Sequence, residues 1–395
     1  MSRKRILVLT PRFPHPAIGG DRLRILHICR ALATRFDLTL LSLCETREEM
    51  QLEPDDGLFG SIERVHLPRW RSYWNTALAL PGARPLQLAY YDSPAFRRKL
   101  AELHPRHDLT LAHLIRTGQY VERLGGRRIL EMTDAISMNY ARMRELRGGG
   151  GWKKWVYTLE QKRLKRYELE TVDRFDRIWL TSRADRLFLD PQQRRPIDVI
   201  PNGADLSVLP WRAPAADARV IVFIANMVSL QNQDACQFFI EQILPQVRSH
   251  ADVVFRIVGN APEAVAQRFR GIDGVQLTGR VERIEEGVGG AFCGVCPVRA
   301  GAGIQNKVLE YLALGLPCVS SRVGLGGVEA EPGAEVLAYD TPEEAAAQIL
   351  ELHRDAGLRL RLAQAGRALV ERRYDWQSVY RAFVDSCLAT GIERD

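Results

Sequence analysis

The chain has 395 residues, 46% of them hydrophobic and 26% charged, with a formal net charge of +7. That length exceeds what one core supports, so two domains are expected. The composition is that of a globular protein, and no apolar run approaches the roughly 18–20 residues of a transmembrane span.

The charge is unevenly spread. Residues 1–205 hold 36 Lys+Arg against 25 Asp+Glu, and the remainder holds 19 against 23. The densest basic stretch, 142–166, interleaves Trp152, Trp155 and Tyr157 with nine Lys/Arg. Such a segment suits an anionic membrane face or an anionic substrate, and a solvated helix face is the plainer reading. No nucleic-acid-binding signature accompanies it, so nucleic acid is not expected as a partner. Cys293 and Cys296 form a CxxC with no second metal-ligand pair, and all seven cysteines read as reduced core thiols of a cytoplasmic protein.

In chain order, KRILVLT reads as a first strand, fitting that better than a signal peptide. Gly19 and Gly20 open a helix with apolar residues at Leu23, Leu26, Ile28, Leu32 and Phe36. DLTLLSLC is the next strand, which makes a βαβ unit. Further strands are expected at 62–67, 109–114, 128–132 and 177–182, with a basic helix over 152–173. IDVIPNGADL and a Pro/Ala-rich linker mark a boundary. The pattern then restarts: strand 219–225, helix 233–248, strands 253–258 and 275–279, a short helix near 282–290, strand 294–298, and strand CVSS. A helical stretch 343–370 and a last amphipathic helix, 374–387, finish the chain. Two runs of alternating strands and helices predict two doubly wound α/β domains.

GAGIQNKVLEYLALGLPCVSS (301–321) carries the most chemistry. Val308, Leu309, Leu312 and Ala313 have helical spacing, and Gly315 is placed as a C-cap. Gly301 and Gly303 let backbone approach a ligand closely. The first-turn N–H groups favour an anion. Lys307 on that turn faces the wrong end of the helix dipole unless it meets a negatively charged ligand such as a diphosphate. Glu310 suits sugar hydroxyls further along the same ligand. Gly19-Gly20 is a second glycine loop of the same kind, although it is not a GxGxxG fingerprint. Both loops lie at strand carboxyl ends, where open α/β sheets bind ligands, so a ligand held by both would lie in a cleft between the domains.

Nearly the whole chain resembles a retaining GT-B glycosyltransferase of family 4. VIPNGADL, FRIVGNAP, VQLTGRV and GIQNKVLEYLALGLPCVSS carry the resemblance. The Ile304-Gln305-Asn306-Lys307 variant is similar to a subgroup tied to bacterial exopolysaccharide assembly. The resemblance implies two Rossmann-like domains facing across a cleft: 1–205 for the acceptor, 206–375 for a nucleotide-sugar donor, and a helix 376–395 packing back on the first. It implies sugar transfer from a UDP or GDP sugar to a hydroxyl with retention, no metal and no further cofactor. The acceptor would be a glycan or lipid-linked glycan, at an anionic inner-membrane surface met through 142–166. Glu310 matches the second motif glutamate and is implied to hold the donor ribose, but Ala302 stands where the first is expected. The loop at Asn226 lacks the bases usual there, leaving Lys307, Arg280 or Arg299 to meet the diphosphate. His113 sits where a histidine faces the donor sugar, Arg116 is an alternative, and Asp134 is placed to orient the acceptor hydroxyl. Two other readings are a nucleotide-sugar epimerase and, because of Ala302, a non-catalytic nucleotide-sugar-binding protein.

Overall fold

The computed structural model describes residues 3–17, 19–54, 56–146, 152–214 and 218–393. The glycine run 148–151 lies outside the described residues, as do the side chains of Trp152, Trp155 and Tyr157. The chain divides into two compact units, one comprising Met1–Ile200 with Val379–Asp395 and the other Pro201–Ser378. No helix among the described residues is long and apolar enough to cross a membrane.

The first unit is built on seven parallel strands: β1 (Arg5–Thr10), β2 (Asp37–Cys44), β3 (Ser61–His66), β4 (Leu109–His113), β5 (Arg127–Thr133), β6 (Arg177–Leu180) and β7 (Ile197–Val199). Their order is β3-β2-β1-β4-β5-β6-β7. β1 and β4 are near-continuous apolar runs because each is covered on both faces. The order reverses between β1 and β4, which makes their carboxyl ends the expected binding edge. Within this unit the final helix lies against β6, with the Trp179 ring tilted against Phe383 at 5.1 Å between centroids and its N–H donating to Ser386 Oγ at 2.7 Å.

The second unit has six parallel strands: β8 (Val220–Ile224), β9 (Val254–Val258), β10 (Val275–Gly279), β11 (Ala291–Cys296), β12 (Cys318–Ser321) and β13 (Leu337–Tyr339). Their order is β10-β9-β8-β11-β12-β13, with the reversal between β8 and β11. Cys293 and Cys296 are buried on β11.

Three local expectations are corrected. The helix expected at 233–248 runs over 230–248 but is interrupted by a π turn, Phe239–Ile243. Pro245 lies just beyond it and has no N–H to give a regular i−4 bond. The stretch 343–370 is two helices, Pro342–Arg354 and Ala356–Arg373. Asp355 breaks it by leaving helical geometry and accepting from Leu358 N at 2.9 Å. The strand expected at 294–298 is Ala291–Cys296, three residues earlier at its start.

Candidate functional site

In the first unit, β4 and β5 pair in a register that sets His113 opposite Glu131. His113 Nδ1 lies 2.5 Å from Glu131 Oε2. Arg24, from the helix Gly20–Ala33, reaches the other carboxylate oxygen at 2.6 Å and also donates to the Ile200 carbonyl at 3.1 Å. Thr133 Oγ1 donates to the same carboxylate. His113, Glu131 and Arg24 are almost fully buried, and Thr133 is half-buried. Burial pushes the Glu131 carboxyl up, but Arg24 and His113 outweigh it and hold it at about 2. Glu131 and Arg24 were not singled out by sequence reasoning. Their signal was a single charge inside an apolar run, in RILEM and in LRILH.

The backbone is strained beside this network. Leu114 and Thr133 have φ of 65° and 66°, although neither is glycine. Such residues cost about 1–3 kcal/mol and cluster at functional sites. These two directly follow His113 and directly precede Asp134. Gly19 has φ of 104°, which only glycine adopts readily, and it is the N-cap of the helix Gly20–Ala33, where it offers no side-chain cap.

Asp134 is half-buried at the end of β5, and among the described residues its carboxylate makes no hydrogen bond. It does not cap the helix Ile136–Leu146. The amides there go to Asp185, which accepts from Ala135 N at 2.8 Å, and to Glu168, which accepts from Ser137 N at 3.2 Å. Burial first, then Asp185 and Glu131, push the Asp134 carboxyl up to about 7, against Arg116 and Arg24. The unfolded chain releases that proton near pH 3.9, so stability falls as pH rises from about 4 to about 7. Asp134→Asn removes this penalty. Its urea midpoint is expected to exceed the parent's at about pH 8 and to match it at about pH 4. A gap that does not widen between those values would contradict the assignment. Arg116 is half-buried, with its guanidinium 5.1 Å over the Tyr91 ring and donating weakly to Gln87.

In the second unit, the helix Asn306–Leu314 begins after Gln305 and ends on Gly315 with φ of 79°. The loop before it contains Gly303 at φ 64° and packs tightly on Gly327, where an added Cβ would stand 2.2 Å from the Gly303 carbonyl oxygen. Lys307 is only 8% exposed. Its Nζ donates to Asn232 Oδ1 and Gln305 Oε1, both at 3.2 Å, and lies 5.3 Å from the Phe223 ring centroid. Asn232 donates in turn to the Asn226 carbonyl at 2.8 Å. No carboxylate forms an ion pair with Lys307 among the described residues. Glu310 is half-buried one turn on, with no hydrogen bond to its carboxylate among the described residues. Burial lifts its carboxyl to about 6, opposed by Lys307.

The other sequence candidates are placed differently. Asn306 accepts from Asn202 Nδ2 at 2.7 Å. Arg299 is committed to a two-point pair with Asp234, at 2.6 and 3.1 Å, and stacks on Phe238. Arg280 is exposed just after β10. Thus Asn232 joins Asn226 to Lys307, Gln305 meets Lys307 directly, and Asn306 and Glu310 lie on the same helix as Lys307. Asn232 was missed, having only its position in a polar run, SLQNQ, to mark it. Among the described residues no cluster of His, Cys, Asp and Glu could hold a metal ion.

Residues 218–355 match the family described as glycosyl transferases group 1. No curated protein matches the chain by sequence. Among solved structures, sucrose-phosphate synthase from Thermosynechococcus elongatus is similar with a TM-score of 0.74 and 14% identity, over 97% of this chain and 98% of that one. HepE from Anabaena, solved with UDP and glucose, is similar with a TM-score of 0.69 and 14% identity, over 98% and 100%. A glycosyltransferase from Rickettsia africae ESF-5 gives a TM-score of 0.65 at 11% identity, over 100% of both chains. That family match lies within the second unit, and the fold of the chain is the one found in GT-B glycosyltransferases.

Proposed function

We propose that this protein is a retaining glycosyltransferase of family 4 that transfers a sugar from a nucleoside diphosphate to a hydroxyl, in bacterial exopolysaccharide or related surface-glycan assembly. The observation that carries the reading is Lys307, a cation nine-tenths buried that donates to amide oxygens, lies over the Phe223 ring and forms no ion pair among the described residues. A buried charge without a counter-charge is costly, and a diphosphate at the neighbouring helix N-terminus would supply one. Breaking the glycosyl bond places negative charge on the leaving diphosphate. Lys307 and the first-turn N–H groups of Asn306–Leu314 stand ready to stabilise it. Glu310 is free to accept from ribose hydroxyls. His113, Arg116 and Asp134 stand at the carboxyl ends of β4 and β5, in the unit assigned to the acceptor. The front-face route, in which the leaving phosphate takes the acceptor proton, needs neither a carboxylate pair nor a metal. UDP is the first nucleotide to test, since HepE was solved with it.

The test is a thermal-shift comparison of UDP, GDP, ADP and NAD on the intact protein and on Glu310→Ala. A nucleotide at about 100 times its dissociation constant stabilises by roughly 2.7 kcal/mol. One nucleoside diphosphate is expected to stabilise the parent and not the variant. No shift with any of them would refute the donor site. Ala302 motivates a second reading, a nucleotide-sugar-binding protein without transferase activity. Binding with neither transfer nor hydrolysis of the donor would favour it.

A further inference from the structure

The helix Arg69–Ala79 is turned inside out. Its inward face carries Ser72, which is buried, with Asn75 and Thr76 half-buried beside it. Asn75 Nδ2 donates to the Asp92 carbonyl at 2.9 Å, and Thr76 Oγ1 to the Ser72 carbonyl at 2.8 Å. The outward face carries Trp70 at 71% exposure, Tyr73 at 64%, Trp74 at 63% and Leu78 at 65%, and Leu80 follows at 51%. A surface helix ordinarily shows the reverse arrangement. One exposed apolar side chain needs no explanation, but five along about three turns of one helix mark an interaction face.

The surroundings say what meets it. Arg71 is exposed on the same helix, and Arg69 is paired with Glu45 at 3.0 Å. The chain just beyond the helix is clamped by the basic helix Trp152–Val172. Arg163 donates to the carbonyls of Leu80 (2.8 Å) and Gly82, and Arg166 to that of Ala83 at 3.1 Å. Beside this clamp lies an open pocket of about 580 Å³ lined by Arg84, Arg97, Arg123, Arg163 and Arg166 against three carboxylates. An apolar face rich in Trp and Tyr, bordered by excess arginine, has the chemistry of a helix lying in the headgroup region of an anionic bilayer.

We propose that Arg69–Ala79, with Leu80, docks the first unit onto an anionic lipid surface, burying Trp70, Trp74 and Leu78 among the acyl chains while the neighbouring arginines meet lipid phosphates. This goes beyond the glycosyltransferase reading and does not depend on it. Arg163 and Arg166 then supply charge beside the anchor, and the apolar side chains supply insertion.

The experiment is co-flotation of the full-length protein with vesicles of phosphatidylcholine alone and of phosphatidylcholine mixed with phosphatidylglycerol. The parent is expected to float with the mixed vesicles and to show quenching of tryptophan fluorescence by brominated acyl chains. Trp70→Ser with Trp74→Ser is expected to lower the bound fraction at least about tenfold. Arg71→Glu should weaken binding to the anionic vesicles only, and Leu187→Ser, at another exposed apolar site, should change nothing. Unchanged melting temperatures show that these exposed substitutions leave the fold intact. Absence of vesicle binding, or binding that survives the double substitution, overturns the proposal. So does concentration-dependent dimerisation in solution that the double substitution abolishes, since the face would then meet a second copy.

Discussion

Lys307→Ala is expected to lower turnover about 10²–10³-fold, the loss typical of removing one preorganised group that stabilises developing negative charge. The ammonium is fixed by Asn232, Gln305 and the Phe223 ring, so little reorganisation is needed as the diphosphate departs. Lys307→Arg is not expected to rescue it, because a planar guanidinium does not fit a position shaped for a compact cation. Lys307→Met separates this from a merely structural role. Without nucleotide, the variant should be as stable as the parent or more so, since an uncompensated buried charge has been removed. With the nucleoside diphosphate, it should lose the thermal shift the parent shows. Turnover within about twofold of the parent in Lys307→Ala would sink the assignment.

Glu131→Ala is expected to cost about 3–5 kcal/mol, because it leaves Arg24 buried without its counter-charge and His113 without its hydrogen-bond partner. Against a typical total of about 5–15 kcal/mol, that is a large fraction, and it is measured by urea unfolding. The pH dependence has a defined sign. The folded carboxyl is held at about 2 and the unfolded one lies near 4.3, so its stabilisation is complete above the unfolded value and is lost as pH falls toward 2. The variant should lack that part of the parent's acid sensitivity. A cost below about 1 kcal/mol would show that the network is not holding β4, β5 and the helix Gly20–Ala33 together.

The same network shows why parts of the site were hidden from the sequence. His113 and Glu131 are 18 residues apart and meet only through the β4–β5 register, while Arg24 comes from 107 residues away. Asn232 reaches Lys307 across 75 residues. Asp134 precedes the helix Ile136–Leu146 in sequence, yet Asp185 and Glu168, 50 and 31 residues from the amides they accept from, take its place as caps. Arg299 looked available to a phosphate, yet Asp234 holds it.

The helix Arg69–Ala79 is the sharpest case. Period alone places Trp70, Trp74 and Leu78 on one face, and nothing in that period says whether the face turns inward or outward. β13, three residues long, was too short to carry a periodic signal. What the sequence determined by itself was local: apolar strand runs, the glycine loop before Asn306–Leu314, its cap at Gly315, and Lys307 and Glu310 on one side of one helix. Those follow from backbone preferences and from spacing over a few residues. The tertiary structure decided which charges are buried and paired, which carboxylate titrates near neutrality and which apolar face is left exposed. Those depend on partners brought together from distant parts of the chain and on the water their packing excludes.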